Sequence, residues 1–302
     1  MTTTEEETKK KVILVTGGNT GIGYALCKQL VLEHDCVVYL GARNVERGTK
    51  AVQDIQDLAN RTGAPEKAQN IHFLLIDVSD DASVQAAAAT LKAQLGSSSS
   101  SSSSLYGLVN NAGVGLKTGS GCENELLATN LYGPKRVTEA FVTMIEQRIV
   151  NVSSGAASMY LRDQSSEVKH FFTNPATTWE DLVTAVEKKK TLGGGGMGAY
   201  GLSKAALNLL TIQQGLLYPN LVCSSISPGF IATQLTAGWG AKLTPEQGTV
   251  SIRKCLFSSD IISGYYYGSD GMRSPLTMTR DPGTPEYKGE DETTIDRSKY
   301  NK

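Results

Sequence analysis

The sequence has few of the residues from which metal centres, disulfide frameworks and membrane spans are built. Its three histidines, His34, His72 and His170, lie far apart and are flanked by no carboxylate pair, so we expect no metal site. The five cysteines are scattered and none forms a CxxC pair, which is typical of free thiols in a reducing compartment. No apolar run approaches the roughly eighteen residues that a transmembrane helix needs.

A large charge of either sign is also missing. The formal net charge is −1 at pH 7, so the sequence has no net positive charge that would favour binding to nucleic acid or to an anionic membrane. Residues 1–11 are mostly Thr, Glu and Lys without an apolar core, so we do not expect a secretory signal there. With 40% apolar and 20% charged residues, the composition is typical of a soluble globular protein, which we expect in the cytoplasm.

The sequence does contain short apolar runs that alternate with longer helical patterns. The runs are unbroken, as in strands that are covered on both faces. This alternation predicts an α/β fold, a single Rossmann-type doubly wound parallel sheet of about seven strands with helices on both faces. The predicted strands are residues 12–16, 36–40, 71–76, 105–109, 148–152 and 221–226, and the first three predicted helices are residues 22–33, 45–60 and 82–95.

Three segments interrupt this pattern. The eight serines Ser97–Ser104 cannot bury apolar surface and predict a flexible surface loop. Residues 159–198 form a long insertion with a predicted helix at 178–187 and a flexible hinge at Gly193–Gly196. A polar tail begins at Arg280 and is expected to be loosely held. We therefore divide the chain into a flexible N-terminus (1–10), one α/β domain (11–276) and a polar C-terminal tail (277–302).

A glycine-rich turn follows the first strand, where residues 16–23 have the sequence TGGNTGIG. Gly17, Gly21 and Gly23 allow a tight turn, close approach of the backbone to a pyrophosphate, and close packing of helix on strand. The helix N-terminus that follows supplies N–H groups and the positive end of a dipole. This context predicts a dinucleotide site, although the spacing TGxxxGxG differs from the common GxGxxG.

The end of the second predicted strand distinguishes the two nicotinamide cofactors. An acidic residue about twenty positions after the last glycine would bind an unphosphorylated ribose 2′-hydroxyl, but residues 41–43 contain no carboxylate. Arg43 stands where a 2′-phosphate would be met, and Arg47 follows one helical turn later. Because guanidinium groups bind phosphate in bidentate geometry, the sequence predicts NADP(H). Two solvated arginines are the alternative.

Tyr200 and Lys204 are four positions apart, which on a helix places both side chains on one face, roughly 6 Å apart along the axis. A nearby cation favours the phenolate and lowers the pKa of a phenol from its ordinary value of about 10. The pair can therefore transfer protons, although a solvated helix face has the same spacing.

In the order and strand context of its motifs, the chain resembles the classical short-chain dehydrogenases/reductases, from about residue 11 to residue 270. Besides TGxxxGIG and YxxxK, it carries NNAG at 110–113, NVSS at 151–154 and SPGFIAT at 227–233. Any single one of these motifs is common, but five in order are specific.

The resemblance implies the roles of the site residues. Tyr200 would be the general acid in reduction, and Lys204 would lower its pKa and hold the nicotinamide ribose. Ser154 would hydrogen-bond the substrate oxygen, and Asn130 would hold a water that links Lys204 to solvent. The implied cofactor-binding residues are Gly17, Asn19, Thr20, Gly21, Ile22, Gly23, Arg43, Arg47, Asp77, Val78, Asn110, Asn111, Ala112, Gly113, Tyr200, Lys204, Pro228, Gly229, Ile231 and Thr233. Within this set, Asp77 and Val78 would flank the adenine, Asn111–Gly113 would line the adenosine ribose, and Pro228, Gly229 and Thr233 would fix the nicotinamide amide.

The long segment between Ser154 and Tyr200 resembles one branch of the family, the NADPH carbonyl reductases, which includes the plant menthone and salutaridine reductases. In that branch the insertion covers the surface that other members use to form tetramers. The resemblance therefore implies a monomer.

The implied activity is NADPH-dependent reduction of a small-molecule carbonyl (a ketone, aldehyde or quinone) to an alcohol by hydride transfer. One alternative is an NADP-dependent dehydrogenase for a secondary alcohol of steroid or terpenoid type, because the same residues serve both directions. Another is an NADP(H)-sensing protein without turnover, although such proteins usually lack the Tyr or the Lys, which are both present here.

Overall fold

A computed structural model of the protein describes residues 9–97, 104–115, 122–191 and 197–289. At its centre lies a seven-stranded parallel sheet in the order β3-β2-β1-β4-β5-β6-β7, which confirms the predicted fold. The order reverses between β1 and β4, and such a switch point opens a crevice at the carboxyl ends of the strands. The strands are β1 (Val12–Thr16), β2 (Val37–Ala42), β3 (Ile71–Leu75), β4 (Leu105–Asn110), β5 (Ile145–Val152), β6 (Val222–Ile226) and β7 (Tyr266–Tyr267).

Helices cover both faces of this sheet. One core cluster joins the sheet to α1, α2 and α11, and a second joins it to α4 and α6. The helices are α1 (Gly21–Leu32), α2 (Val45–Arg61), α3 (Pro65–Ala68), α4 (Asp81–Ser97), α5 (Cys122–Leu127), α6 (Gly133–Phe141), α7 (Gly155–Arg162), α8 (Ser166–Thr173), α9 (Trp179–Thr191), α10 (Met197–Leu217) and α11 (Val250–Phe257). Among the described residues, none of the helices has the length and apolar character to cross a membrane.

The insertion before Tyr200 is more helical than its sequence pattern predicts. The predicted helix at 178–187 is confirmed as α9, but α7 and α8 precede it. Ser165 caps α8 by accepting a hydrogen bond from the N–H of Val168. A third core cluster packs these helices on α10, because Phe172 of α8 and Leu182 and Val186 of α9 are fully buried there. The insertion is thus an integral layer of the domain.

Two other elements differ from their prediction. β5 begins at Ile145 rather than at residue 148, directly after a 3₁₀ turn at Val142–Met144. The sequence pattern missed β7, because a strand of two residues is too short to produce an apolar run.

The described part of the C-terminal tail is held against the domain rather than loosely. The guanidinium of Arg280 is 7% exposed and pairs with the carboxylate of Asp270, which also accepts a 3.0 Å hydrogen bond from the N–H of Gly283. The N–H of Tyr287 donates to the carbonyl of Arg273. The polar composition of the tail did not indicate these contacts, because the partners of each contact are apart in the sequence. The predictions for residues 1–8, 98–103, 193–196 and 290–302 lie outside the described residues.

Candidate active site

The glycine turn lies between β1 and α1, at the switch point of the sheet. Gly17 and Gly21 have φ values of 65° and 55°, the left-handed region that glycine adopts without strain. A Cβ on Gly23 would overlap the carbonyl oxygen of Gly17 and the side-chain amide of Asn111. The next helix, α1, has no side-chain cap from Thr20 and no acidic residue in its first turn. Its N-terminus therefore offers an anion its backbone N–H groups and positive dipole end.

Asn111, which follows β4, stabilises the glycine turn through hydrogen bonds. Its Nδ2 donates to the carbonyl oxygens of Thr16 at 2.8 Å and Gly17 at 3.2 Å. The backbone N–H groups of Asn111 and Ala112 both donate to Thr16 Oγ1 at 3.1 Å. The NNAG segment and the glycine turn therefore form one rigid unit.

Arg43 and Asp77 lie together at the ends of β2 and β3. Burial raises the pKa of the Asp77 carboxyl, but hydrogen bonds from Ser79 and then the charges of Arg43 and Arg136 hold it below its ordinary value. The side chains of Arg43 and Arg47 are exposed, while the N–H of Arg47 donates to the cap residue Asn44. Arg43 is therefore available to a phosphate at this edge of the crevice.

The SPGFIAT segment closes the crevice from the opposite side. Gly229 has a φ of 93°, and Ile231 forms a bridge with Leu243. A Cβ placed on Gly21 would lie 3.3 Å from Thr233 Cγ2, so this loop approaches the glycine turn directly. The structure thus brings the predicted pyrophosphate and nicotinamide segments together.

Tyr200, Lys204 and Ser154 meet at the carboxyl end of β5. Lys204 is 5% exposed, its Nζ donates to the carbonyl oxygen of Val152 at 2.9 Å, and it lies 5.8 Å from the centre of the Tyr200 ring. Burial lowers the pKa of Lys204 to about 8. Ser154 caps α7, and its Oγ accepts from the N–H of Ala156 at 3.2 Å.

The electrostatics of Tyr200 differ from the prediction. Burial raises the pKa of its phenol, and hydrogen bonding by Ser154 opposes that rise. The Lys204 ammonium donates to the Val152 carbonyl and lies 5.8 Å from the centre of the Tyr200 ring. In this structure Tyr200 is therefore a neutral phenol at pH 7, the form that can donate a proton.

The side chain of Asn130 holds Val114 and Ser203 in place beside Lys204. It lies in a π-helical turn, Ala128–Tyr132, a form that occurs often at functional sites. Its Oδ1 accepts from the N–H of Val114 at 2.9 Å, and its Nδ2 donates to the Val114 carbonyl at 3.0 Å and to Ser203 Oγ at 3.2 Å. A Cβ on Gly113 would be 3.3 Å from Asn130 Oδ1 and 3.6 Å from Lys204 Nζ. The Asn130 side chain therefore holds protein groups, and its predicted contact with a water stays a prediction.

The side chain of Asn110 is bound within the protein, and the contact of this residue with the cofactor stays a prediction. It is 2% exposed, and its Nδ2 donates to Asn151 Oδ1 at 2.9 Å and to Thr138 Oγ1 at 3.2 Å. Asn151 in turn donates to Gln214 Oε1 at 2.7 Å. Because side chains alternate along a strand, the two adjacent asparagines of NNAG point to opposite faces. Asn110 therefore ties β4 and β5 to α6 and α10.

Sequence reasoning did not single out the side chain of Ser227, which joins two parts of the site. Its Oγ accepts from the N–H of Gly155 at 3.1 Å and from the N–H of Gly229 at 3.3 Å. Its position within SPGFIAT was the sequence signal that could have indicated this structural role.

Comparisons with known proteins agree with this arrangement. The profile of the short chain dehydrogenase family matches residues 11–166. The chain is 30% identical to (+)-neomenthol dehydrogenase of Arabidopsis thaliana, over 79% of this chain and 88% of that protein. It is also 30% identical to carbonyl reductase (NADPH) 1 of Homo sapiens, over 78% of this chain and 87% of that protein. Among solved structures, salutaridine reductase from Papaver somniferum superposes with a TM-score of 0.71 at 26% identity, covering 85% of this chain and 99% of that one.

Proposed function

We propose that this chain, which belongs to the short chain dehydrogenase family, reduces a small-molecule ketone, aldehyde or quinone to an alcohol with NADPH. The observation that carries the proposal is the meeting of Ser154, Tyr200 and Lys204 beside an uncapped helix N-terminus and a glycine turn. Family membership makes the chain an oxidoreductase that acts on carbonyl or alcohol groups.

The residues of the chain would divide the chemistry as follows. The nicotinamide supplies the hydride when it is bound. Tyr200 donates the proton to the carbonyl oxygen, and the hydroxyl of Ser154 meets the negative charge that develops there. Lys204, with its pKa near 8, is mostly cationic at pH 7 and adds positive potential beside the phenol. The 228–233 loop would orient the nicotinamide ring.

The preference for NADP(H) is supported by the charge at the end of β2. Arg43 is exposed and close enough to Asp77 to lower the pKa of its carboxyl. A guanidinium at this position suits a 2′-phosphate, and an acidic residue would repel it. The name of the human relative includes NADPH, which agrees with this proposal.

Consumption of reduced cofactor over a panel of ketones, aldehydes and quinones tests the function. We expect NADPH to be consumed and NADH to be consumed poorly. Tyr200→Phe should lower the rate by about 10²–10⁴-fold, the usual contribution of a general acid, while NADPH still binds. Tyr218→Phe is the matched control, because Tyr218 directly follows α10 and lies away from the site. If the wild-type protein binds NADPH and consumes none with any carbonyl, the protein is a sensor and the proposal fails.

A second candidate is oxidation of a secondary alcohol with NADP⁺, favoured by the similarity to (+)-neomenthol dehydrogenase. The same Tyr200 would then act as the base. Rates measured in both directions with matched carbonyl and alcohol pairs separate the two candidates.

The oligomeric state also stays a prediction. The burial of Phe172, Leu182 and Val186 against α10 supports a monomer, since α8 and α9 cover part of that helix. Light scattering on the purified protein tests this prediction, and a mass of two or four chains would contradict it.

A further inference from the structure

We propose that Ser227 is a positioning residue whose hydroxyl holds Ser154 in place beside Tyr200. Its effect on catalysis rests on the proposed function, whereas its effect on the local backbone does not. The proposal is carried by hydrogen bonds that join the end of β6 and the loop after it to the first turn of α7.

Both neighbours of Ser154 in the chain are bound to the end of β6. The N–H of Ser153 donates to the carbonyl of Ile226 at 2.8 Å, and the N–H of Gly155 donates to Ser227 Oγ at 3.1 Å. The first hydrogen bond joins two backbone groups and so does not depend on a side chain. The second needs the hydroxyl of Ser227, so this side chain controls one of the two contacts that hold Ser154.

Ser227 also completes the N-terminal cap of α7. The first N–H groups of a helix have no partner within the helix. Ser154 provides acceptors for two of them, because its Oγ accepts from the N–H of Ala156 at 3.2 Å and its carbonyl accepts from the N–H of Ala157 at 3.1 Å. The N–H of Gly155 is bound by Ser227 Oγ instead. A residue that is distant in sequence therefore satisfies the first N–H group of the helix.

The backbone of Ser227 is held independently of its hydroxyl. Its N–H donates to the carbonyl of Tyr267 at 2.8 Å, and its carbonyl accepts from Ser251 Oγ at 3.4 Å. The hydroxyl accepts from the N–H of Gly155 and, at 3.3 Å, from the N–H of Gly229 two residues further along the chain. Ser227→Ala should therefore keep the residue in place and remove only these last two contacts.

The first turn of α7 is in direct contact with the helix that carries Tyr200. A Cβ placed on Gly201 would lie 2.9 Å from the carbonyl oxygen of Ala156, so α7 and α10 touch beside the phenol. Without the Ser227 hydroxyl, the first N–H group of α7 loses its acceptor and this turn is held less tightly. The hydroxyl of Ser154 would then shift relative to Tyr200.

Ser263→Ala provides a matched control for Ser227→Ala. Ser263 Oγ also accepts from a backbone N–H group, that of Cys223 at 3.0 Å, and it donates to the carbonyl of Leu221 at 3.3 Å. These contacts lie at the amino end of β6, whereas Ser227 follows its carboxyl end. Each substitution removes one serine hydroxyl that binds a backbone N–H group beside the same strand.

Hydrogen exchange of the Gly155 and Gly229 amides in the cofactor-free protein tests the local claim without any activity. We expect Ser227→Ala to accelerate exchange at both amides by about three- to tenfold, the effect of one ordinary hydrogen bond. Ser263→Ala should leave both rates unchanged and accelerate exchange at the Cys223 amide. Equal rates at the Gly155 amide in the two variants would overturn the proposal, whether or not the protein reduces carbonyls.

Kinetic measurements separate positioning from general stability. We expect Ser227→Ala to lower kcat for carbonyl reduction by about tenfold at saturating NADPH, because small displacements of reacting groups are costly, with a melting temperature close to that of Ser263→Ala. Hydrogen bonding by Ser154 favours the phenolate of Tyr200, so displacement of Ser154 should move the pH profile of alcohol oxidation to higher pH. If Ser227→Ala accelerates exchange but changes neither kcat nor the profile, the hydrogen bond is structural and the catalytic part of the proposal is wrong.

A double variant with Ser154→Ala tests whether Ser227 acts through Ser154. If it does, the double variant should have the same kcat as Ser154→Ala alone, because the effects of residues in one network are not additive. A further loss of kcat in the double variant would show that Ser227 acts on another part of the site, and the proposed link to Ser154 would be wrong.

Discussion

Lys204 and Val152 join α10 to the end of β5. The ammonium of Lys204 donates to the carbonyl of Val152, the last residue of β5, and Ser153 Oγ donates back to the carbonyl of Lys204 at 3.1 Å. These two hydrogen bonds fix α10 to the end of the strand from which Ser154 follows. They also leave a cation buried with a neutral partner.

Stability should therefore depend on the protonation of Lys204. Burial lowers its pKa to about 8 from an ordinary 10.5, so charging it costs stability in full below pH 8, and this cost disappears as the pH rises to about 10.5. At about 1.4 kcal/mol per pKa unit, the difference is at most about 3–4 kcal/mol. Urea unfolding of the cofactor-free wild type and of Lys204→Met, measured from pH 7 to pH 10.5, checks this. The wild type should gain stability relative to the variant over that interval, and parallel curves would contradict the prediction.

Removal of the Arg43 guanidinium should weaken NADPH binding selectively. A charge-assisted hydrogen bond contributes about 1.5–3 kcal/mol, so Arg43→Ala should raise the dissociation constant for NADPH by about ten- to a hundredfold. Binding of NADH should change little, because NADH has no 2′-phosphate. Arg61→Ala, at the far end of α2 on an exposed position, is the control. An equal loss for both cofactors would mean that Arg43 does not contact the phosphate.

A methyl group at Gly23 should disrupt the glycine turn. The added Cβ would overlap the Gly17 carbonyl and the Asn111 amide, so the turn must open. We expect Gly23→Ala to lose about 1–3 kcal/mol of unfolding free energy, as overpacking usually costs, together with NADPH binding. Gly96→Ala is the matched control, since a Cβ there meets nothing within 4 Å and alanine favours the helix. If Gly23→Ala retained its affinity for NADPH, the glycine turn would not be the segment that binds the cofactor.

The loss of the Asn130 side chain should affect both folding and catalysis. Asn130→Ala leaves the N–H of Val114 without its acceptor, which costs about 1–3 kcal/mol when the group is buried. The Gly113–Val114 segment next to Lys204 would then move, so NADPH turnover should fall more than the folded fraction does. Thermal unfolding and kcat are compared with those of Asn60→Ala, an exposed asparagine on α2. If activity falls only in proportion to the folded fraction, Asn130 acts on stability alone.

Much of the site could be predicted because its signals are local. The glycine turn, the arginine at the end of β2 and the Tyr200–Lys204 pair each depend on a few neighbouring residues whose backbone geometry is set by spacing. The direction of the Tyr200 pKa could not be predicted this way. It depends on burial and on the hydrogen bond with Ser154, and both come from residues far away in sequence.

By itself, the sequence determined the parallel sheet, the position of the cofactor turn and the set of residues at the end of β5, because unbroken apolar runs and glycine spacing act over short distances. The tertiary structure decided that Asn110 faces the interior, that Arg280 pairs with Asp270, and that Ser227 accepts hydrogen bonds from the N–H groups of Gly155 and Gly229. Each of these contacts depends on which distant side chains come together when the helices pack on the sheet. No local pattern in the sequence predicts such a contact.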